Sequence, residues 1–131
     1  MGQIKTFRDL IAWQKSMMLA QHIYRVTQRM PESERFGLTN QMRRAAVSIP
    51  SNIAEGYARQ TTADYIKFLR TARGSLAELM TQMEITLNLR MIPLDKATTD
   101  LLEEVDRILQ GLIRSLEAKL SKRTRTPSTP R

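Results

Sequence analysis

Six basic side chains in the middle of the sequence have a chemistry suited to phosphate groups. They are Arg43, Arg44, Arg59, Lys67, Arg70 and Arg73, and they belong to a segment, residues 35–73, with seven basic and two acidic side chains. Lysine and arginine neutralise the phosphates of nucleic acids, with an affinity that falls steeply as salt rises. The whole chain contains only three Tyr, three Phe and one Trp, so few aromatic rings are left for stacking on bases. The charges therefore predict that the protein binds RNA or DNA, and that it recognises charge and shape more than base sequence.

The same charges fit two other interpretations. Residues 74–121 carry five basic and eight acidic side chains, so the chain separates a basic segment from an acidic one. Such a separation also suits a basic face that docks on an acidic face of another subunit or protein, as in a protein–protein adaptor. In the third interpretation the charges form a solvated face whose members pair with one another within the chain.

Residues that carry enzymatic chemistry are scarce. No cysteine occurs, and the single histidine, His22, has no Asp, Glu or Cys nearby at ligand spacing, so we expect it to be a surface residue. Glu55 and Glu78 lie in otherwise apolar or uncharged stretches, where two buried carboxylates could do acid–base work. A hydrolase or transferase would rest on these two residues, and pairing with nearby arginines is their alternative role. We therefore predict no enzyme, with no catalytic residue, metal site or cofactor.

A helix over residues 37–59 positions the first three of the six cations. Its apolar residues recur every three or four positions, at Leu38, Met42, Ala45, Ile49, Ile53 and Tyr57. A polar stripe follows beside them, formed by Gln41, Arg44, Ser48, Asn52, Glu55 and Arg59. Two adjacent stripes predict a helix with two different neighbours. One is its own core, and the other is a subunit, a nucleic acid or water.

Pro50 lies inside this helix without shifting the phase of either stripe. A proline in a helix removes one backbone hydrogen bond and costs roughly 3 kcal/mol. Because both stripes continue past it, we predict a single helix kinked at Pro50, with Ser48 and Asn52 satisfying the freed backbone groups. The alternative is a loop over residues 48–52, in which Ser51 or Asn52 caps a new helix.

Three further amphipathic segments complete the predicted fold. Helices are expected over residues 7–30, 63–91 and 94–120. Thr6, with Asp9 three residues later, would cap the first of them, and Thr62 would cap the second. Together with the helix over residues 37–59, they predict an all-α, antiparallel up-down-up-down four-helix bundle.

Single residues outside the stripes lead to narrower expectations. Phe36, in the connection before the proline-containing helix, is expected to pack under the bundle. Trp13 is expected to be a partly buried core residue, and an interface anchor is the alternative. Gly74 marks a place where another helix could approach closely.

The bundle is predicted to cover residues 1–121, followed by a tail over residues 122–131. The tail is basic, polar and contains proline, and is expected to be disordered. No apolar run approaches the roughly 20 residues that span a bilayer. The first residues also lack the pattern of a signal peptide. We therefore expect a cytoplasmic protein that makes no contact with a membrane.

Three runs of the sequence resemble a known protein family. They are FRDLIAWQK, GLTNQMRRAAVSIPSNIAEGYAR and DYIKFLRTARGSLAEL. All three are similar to the four-helix-bundle family of 23S rRNA intervening-sequence proteins, and the similarity covers the chain from Phe7 to Arg114. The family includes the accessory variability proteins of diversity-generating retroelements, which bind a reverse transcriptase and nucleic acid. Its known folds are up-and-down bundles that assemble as homopentamers with a basic central surface.

The resemblance implies a structural role for most of the polar stripe. The stripe matches the signature of the family, as do Gly74, Ser75 and Glu78. We expect a set of polar and small residues to stabilise the kink and a subunit contact, namely Gln41, Ser48, Asn52, Glu55, Gly74, Ser75 and Glu78. Arg43, Lys67, Arg70 and Arg73 would then be free to meet phosphate. The resemblance also implies a homo-oligomer, specifically a pentamer, with RNA, DNA or another protein as its partner.

Overall fold

A computed structural model describes residues 2–125 of the chain, with side chains through Arg123. Four long helices follow one another within these residues: α1 (Ile11–Val26), α2 (Leu38–Tyr57), α3 (Thr62–Asn88) and α4 (Lys96–Arg125). Short 3-10 turns at Phe7–Asp9, Thr27–Arg29 and Glu32–Glu34 flank α1 and precede α2. The described residues contain no strand, so the predicted all-α four-helix fold is confirmed.

The first predicted helix is divided into a 3-10 turn and the longer α1. Thr6 caps the turn as predicted, because its hydroxyl accepts a hydrogen bond from the Arg8 N–H at 3.1 Å. The Asp9 carboxylate in return accepts from the backbone N–H groups of Lys5 and Thr6, which lower its pKa. Leu10 then adopts an extended backbone and separates the turn from α1. The predicted helix over residues 7–30 is therefore interrupted near its start, and α1 ends at Val26.

The helix α2 runs through Pro50 without interruption, so the loop predicted as the alternative is wrong. The Ser51 hydroxyl donates to the Val47 carbonyl at 2.8 Å, and the Asn52 side-chain amide donates to the Ser48 carbonyl at 2.8 Å. Side chains thus donate hydrogen bonds to carbonyl groups in the turn before Pro50, which itself has no backbone N–H to donate. The kink itself stays a prediction.

The apolar stripe of α2 faces the core, as its spacing predicted. Met42, Ala45, Ile49 and Ile53 are buried, and the residues at both ends of the stripe are half-buried. Helix α3 begins one residue before the predicted start, because Thr61 caps it and not Thr62. The Thr61 hydroxyl accepts from the Asp64 N–H at 3.1 Å.

Each helix packs against two others, in the order α1–α2, α2–α3, α3–α4 and α4–α1. Residues from all four helices form one core, and its largest fully buried side chains include Leu19, Ile23, Met42, Ile49, Ile53, Leu69, Leu76, Leu79 and Leu109. The Thr86 hydroxyl oxygen of α3 lies 3.6 Å from the Met42 sulfur of α2. Gly56, late in α2, lies against Phe68, early in α3. These two contacts support an antiparallel α2–α3 pair, while the up-down order of the whole bundle stays a prediction.

The structure corrects or restricts three expectations about single segments. Phe36 is 86% exposed, with the Arg35 guanidinium 5.4 Å from its ring centroid, so it does not pack under the bundle. Among the described residues, no other helix lies within 4 Å of a β-carbon placed on Gly74, and the close approach within the chain occurs at Gly56. Approach of a helix from another subunit at Gly74 stays a prediction. Residues 122–125, expected to be disordered, continue α4. The rest of the predicted tail, 126–131, lies outside the described residues.

Candidate nucleic-acid interface

Arg43 joins α2 to the end of α1. Its Nε donates to the Thr27 hydroxyl at 2.9 Å, and one terminal nitrogen donates to the Tyr24 carbonyl at 3.3 Å. The guanidinium also lies 4.7 Å from the centroid of the Tyr24 ring, a cation–π distance. The prediction that Arg43 is free to meet phosphate is therefore wrong, because Tyr24 in the last turn of α1 and Thr27 just after that helix make three contacts with its side chain.

Arg70 and Arg73 are paired with acidic residues of α4. Arg70 forms an ion pair with Glu117, and Arg73 Nε lies 3.2 Å from Asp106 Oδ1. Part of the basic segment therefore faces part of the acidic segment within one chain. All four side chains keep substantial exposure to solvent, so each pair contributes little to stability. The prediction that these two arginines are free is also wrong.

The remaining three predicted cations differ in their surroundings. Arg59 lies 4.5 Å above the centroid of the Phe68 ring and 3.3 Å from Glu55 Oε2. Arg44 and Lys67 are exposed, and neither forms an ion pair among the residues that the structure describes. These two are the only members of the predicted set that present a cation without a neighbouring partner in that part of the chain.

The two carboxylates considered for acid–base work are both on the surface. Glu55 is exposed and paired with Arg59, and Glu78 is exposed as well. Neither carboxylate is buried, so neither can act as the buried acid that the hypothesis required. Among residues 2–125, no group of three or more His, Asp or Glu side chains could hold a metal ion.

His22 has a structural contact that the sequence did not predict. Its Nδ1 lies 3.3 Å from the Thr98 hydroxyl oxygen, and the Thr98 hydroxyl donates to Asp95 Oδ2 at 2.5 Å. Because that hydroxyl has one hydrogen, His22 Nδ1 must be the donor in its own bond. The half-buried histidine thereby connects α1 to the first turn of α4, and the expectation of a simple surface residue is wrong.

A polar cluster lies between the middles of α2 and α3. The Ser48 and Ser75 hydroxyls are 2.8 Å apart, and the Asn52 amide donates to the Ser48 hydroxyl at 3.0 Å. Three of the seven residues assigned to a subunit contact therefore join two helices of the same chain. The other four, Gln41, Glu55, Gly74 and Glu78, are exposed. Their contact with a second subunit stays a prediction.

The end of α4 adds cations, two of which, Lys122 and Arg123, were expected to lie in a disordered tail. Between Glu117 and Arg123 this helix carries three basic side chains, Lys119, Lys122 and Arg123, against one carboxylate. Half-buried Leu116 and Leu120 pack against the core. They continue the helical spacing of Leu109 and Ile113 up to residue 120, but no apolar residue after Leu120 indicated that the helix extends further.

Two contacts place the end of α4 and the end of α2 at the end of the bundle where α3 begins. The Arg70–Glu117 ion pair joins the first half of α3 to the last turns of α4, and Arg59 over Phe68 joins the end of α2 to α3. We call this surface the basic end and define it by Arg59, Lys67, Arg70, Lys119 and Arg123. Glu55 and Glu117 each pair with one of its arginines. The lysines at 67 and 119 and Arg123 are exposed.

No helix among residues 2–125 has the length and apolar character required to cross a membrane. No functionally curated protein matches the sequence. The sequence model of the 23S rRNA-intervening sequence protein family matches residues 8–114 of the chain. This range includes most of α1 to α4 and the segments that carry the resemblance noted from the sequence. It ends before Glu117, so the last part of the basic end lies outside the match. Because the match covers most of the sequence, the chain belongs to the 23S rRNA-intervening sequence protein family.

Proposed function

We propose that the protein is a non-enzymatic helical bundle that binds RNA or DNA through the phosphate backbone at the basic end. The observation that supports this proposal is the concentration of exposed cations where α4 ends beside the start of α3. Lys67, Lys119 and Arg123 extend from two different helices, so they can reach phosphates on more than one strand or turn. The carboxylates Glu55 and Glu117 are each already neutralised by an arginine.

The proposed recognition is by charge and shape. Phe68 is an aromatic residue at this surface, and its ring is covered by the Arg59 guanidinium. A covered ring is not offered for base stacking, so the contacts expected here are to phosphates and sugars. Helical cations at fixed spacing favour a structured RNA over a flexible single strand.

We further propose that the protein forms a homo-oligomer through the polar face of α2 and α3. Exposed Gly74 leaves open space on α3, since a β-carbon there would meet no atom of the same chain within 4 Å. A helix of a second copy could therefore approach closely at this point. The expectation of a pentamer rests on the resemblance to the family. Light scattering would measure a mass well above the 15.1 kDa of one chain, and a monomer at micromolar concentration would overturn this proposal.

A charge-reversal experiment tests the nucleic-acid proposal. The test variant carries Lys67→Glu, Lys119→Glu and Arg123→Glu. The control carries Arg25→Glu, Arg29→Glu and Arg90→Glu, three exposed residues that line cavities beside the α3–α4 connection at the other end of the bundle. Both variants change the net charge by the same amount. Affinity is measured by fluorescence polarisation with an RNA hairpin and with a DNA hairpin of the same sequence.

The proposal predicts that the test variant binds RNA at least about tenfold more weakly than the control variant at moderate salt. Circular dichroism would show that both variants remain helical. If the two variants lose RNA affinity equally, the affinity depends on net charge alone and the basic end is not the nucleic-acid-binding site. If the unaltered protein does not bind either hairpin at low salt, the proposal fails completely.

A further inference from the structure

An apolar groove runs between the outer faces of α1 and α2, away from the α3 side of α2. Its volume is about 540 Å³, and Trp13, Tyr24, Val47, Pro50 and Ala54 are among its lining residues. Tyr24 is 44% exposed and Val47 is 43% exposed. Apolar side chains gathered at the surface in this way mark a site where another molecule binds.

Both helices that form this groove carry cations, and carboxylates on them are scarce. Helix α1 contains no Asp or Glu, and the only carboxylate of α2 is Glu55. Glu55 is paired with Arg59, so its charge is compensated. In contrast, Arg43 lies over the Tyr24 ring in the wall of the groove, and Arg25 and Arg44 are exposed on the same two helices. The groove is therefore apolar inside and positive at its margin.

We propose that this α1–α2 groove docks an amphipathic helix of another protein, whose apolar stripe is flanked by Asp and Glu. Helix-in-groove binding places an apolar stripe in such a concavity, and the flanking charges set specificity. Tryptophan, tyrosine and arginine are the residues that most often dominate binding energy. Trp13 and Tyr24 line the groove, and Arg43 lies against the Tyr24 ring. Of these, Trp13 is half-buried and retains surface for contact.

A second copy of the chain does not supply the required helix from its described residues. Its acidic helical segment is the first half of α4, with Asp100, Glu103 and Glu104. The apolar side of that segment is already buried in its own core through Leu101, Leu102 and Val105. An acidic helix with a free apolar stripe must therefore come from a different protein. The groove and the basic end use different residues, so this proposal does not rest on nucleic-acid binding.

A synthetic peptide provides the probe. It forms an amphipathic helix of about 18 residues, or five turns, with leucines on one face, glutamates beside them and no tryptophan. Because Trp13 is the only tryptophan of the protein and lines the groove, its emission reports binding at the site directly. A fluorescent label on the peptide gives the affinity by polarisation. A second peptide carries lysine in place of every glutamate.

The chain offers a closely matched pair of variants. Val47→Glu places a carboxylate in the groove, and Ile85→Glu places one on α3 at a residue that is 42% exposed. We expect the acidic peptide to shift Trp13 emission and to bind the Val47→Glu variant at least about tenfold more weakly than the Ile85→Glu variant. The basic peptide should bind the unaltered protein at least about tenfold more weakly than the acidic peptide.

Three results would overturn the proposal. One is equal affinity for the acidic and basic peptides, and another is equal loss in the two variants. The third is absence of peptide binding together with loss of self-association in the Val47→Glu variant, which would assign the groove to contact between copies. RNA affinity of the Val47→Glu variant is measured in parallel and should equal that of the Ile85→Glu variant. Failure of the groove proposal is thereby distinguished from failure of the proposed function.

Discussion

A β-carbon placed on Gly56 of α2 would lie 2.7 Å from the Cβ of Phe68 on α3 and 3.3 Å from the Tyr65 carbonyl oxygen. Real β-carbons do not approach so closely, so only glycine lets the two helices meet at this point. The contact lies just before the short connection from Tyr57 to Thr62. It therefore fixes how α2 and α3 converge. The position of Arg59 relative to Lys67 in the basic end depends on this convergence.

Gly56→Ala should destabilise the protein even though alanine favours helix. The favourable helix propensity is about 1 kcal/mol, but the added methyl group must push apart two packed helices, an overpacking cost of typically 1–3 kcal/mol or more. Gly111→Ala is the matched control on α4, where a β-carbon meets nothing within 4 Å. Urea unfolding should show a lower free energy of unfolding for Gly56→Ala and a slightly higher one for Gly111→Ala. Equal changes in the two variants would contradict the close approach.

Tyr65 should make stability fall at alkaline pH. Its buried hydroxyl has no hydrogen-bond partner among the described residues. Burial, and to a smaller extent the nearby Tyr57, raises the pKa of Tyr65 from 10.0 to about 12. The neutral phenol is therefore favoured in the folded state. Its contribution to stability is complete below pH 10 and is lost as the pH rises from 10 toward 12.

The Tyr65→Phe variant isolates this effect. Phenylalanine removes an unpartnered hydroxyl while keeping the ring, so stability near pH 8 should be equal or slightly higher. Between pH 10 and 12, the free energy of unfolding should fall less steeply than in the unaltered protein. Parallel pH profiles for the two proteins would show that Tyr65 does not titrate differently in the folded and unfolded states.

Ser48 and Ser75 should be energetically coupled. Their hydroxyls are 2.8 Å apart and the Asn52 amide also donates to Ser48, so replacing either serine leaves partners without a bond. A double-mutant cycle with Ser48→Ala and Ser75→Ala should give a coupling energy of about 1 kcal/mol. Ser51→Ala combined with Ser75→Ala is the control, because Ser51 bonds only to its own helix. Additive effects of Ser48→Ala and Ser75→Ala would argue against a cluster that joins α2 to α3.

Helical spacing predicted much of the fold because burial repeats with the period of the helix. The stripe from Leu38 to Tyr57 stayed in phase across Pro50, and the structure shows one continuous helix there. The predicted helix boundaries were less accurate than the helices themselves, because a boundary depends on the backbone angles of individual residues. Leu10 is extended and interrupts the first helix, and Thr61 caps α3 in place of its neighbour Thr62.

The state of the predicted cations could not be obtained from local sequence. Arg73 meets Asp106, which is 33 residues away, and Arg70 meets Glu117, which is 47 residues away. Only the packing of α4 on α3 decides which acid faces which arginine. Lys122 and Arg123 were placed in a basic tail, since proline and polar residues follow them and no apolar residue after Leu120 continues the helical stripe.

The central claim is that nucleic acid lies against the basic end, and site-specific crosslinking tests it most directly. The sequence has no cysteine, so Lys119→Cys and Arg29→Cys each introduce one thiol, at opposite ends of the bundle, for attachment of a photoactivatable aryl azide. Each variant is irradiated with a labelled RNA hairpin at low salt. The account predicts an RNA–protein adduct from position 119 and little adduct from position 29. Equal adducts from both positions, or an adduct from position 29 alone, would contradict it.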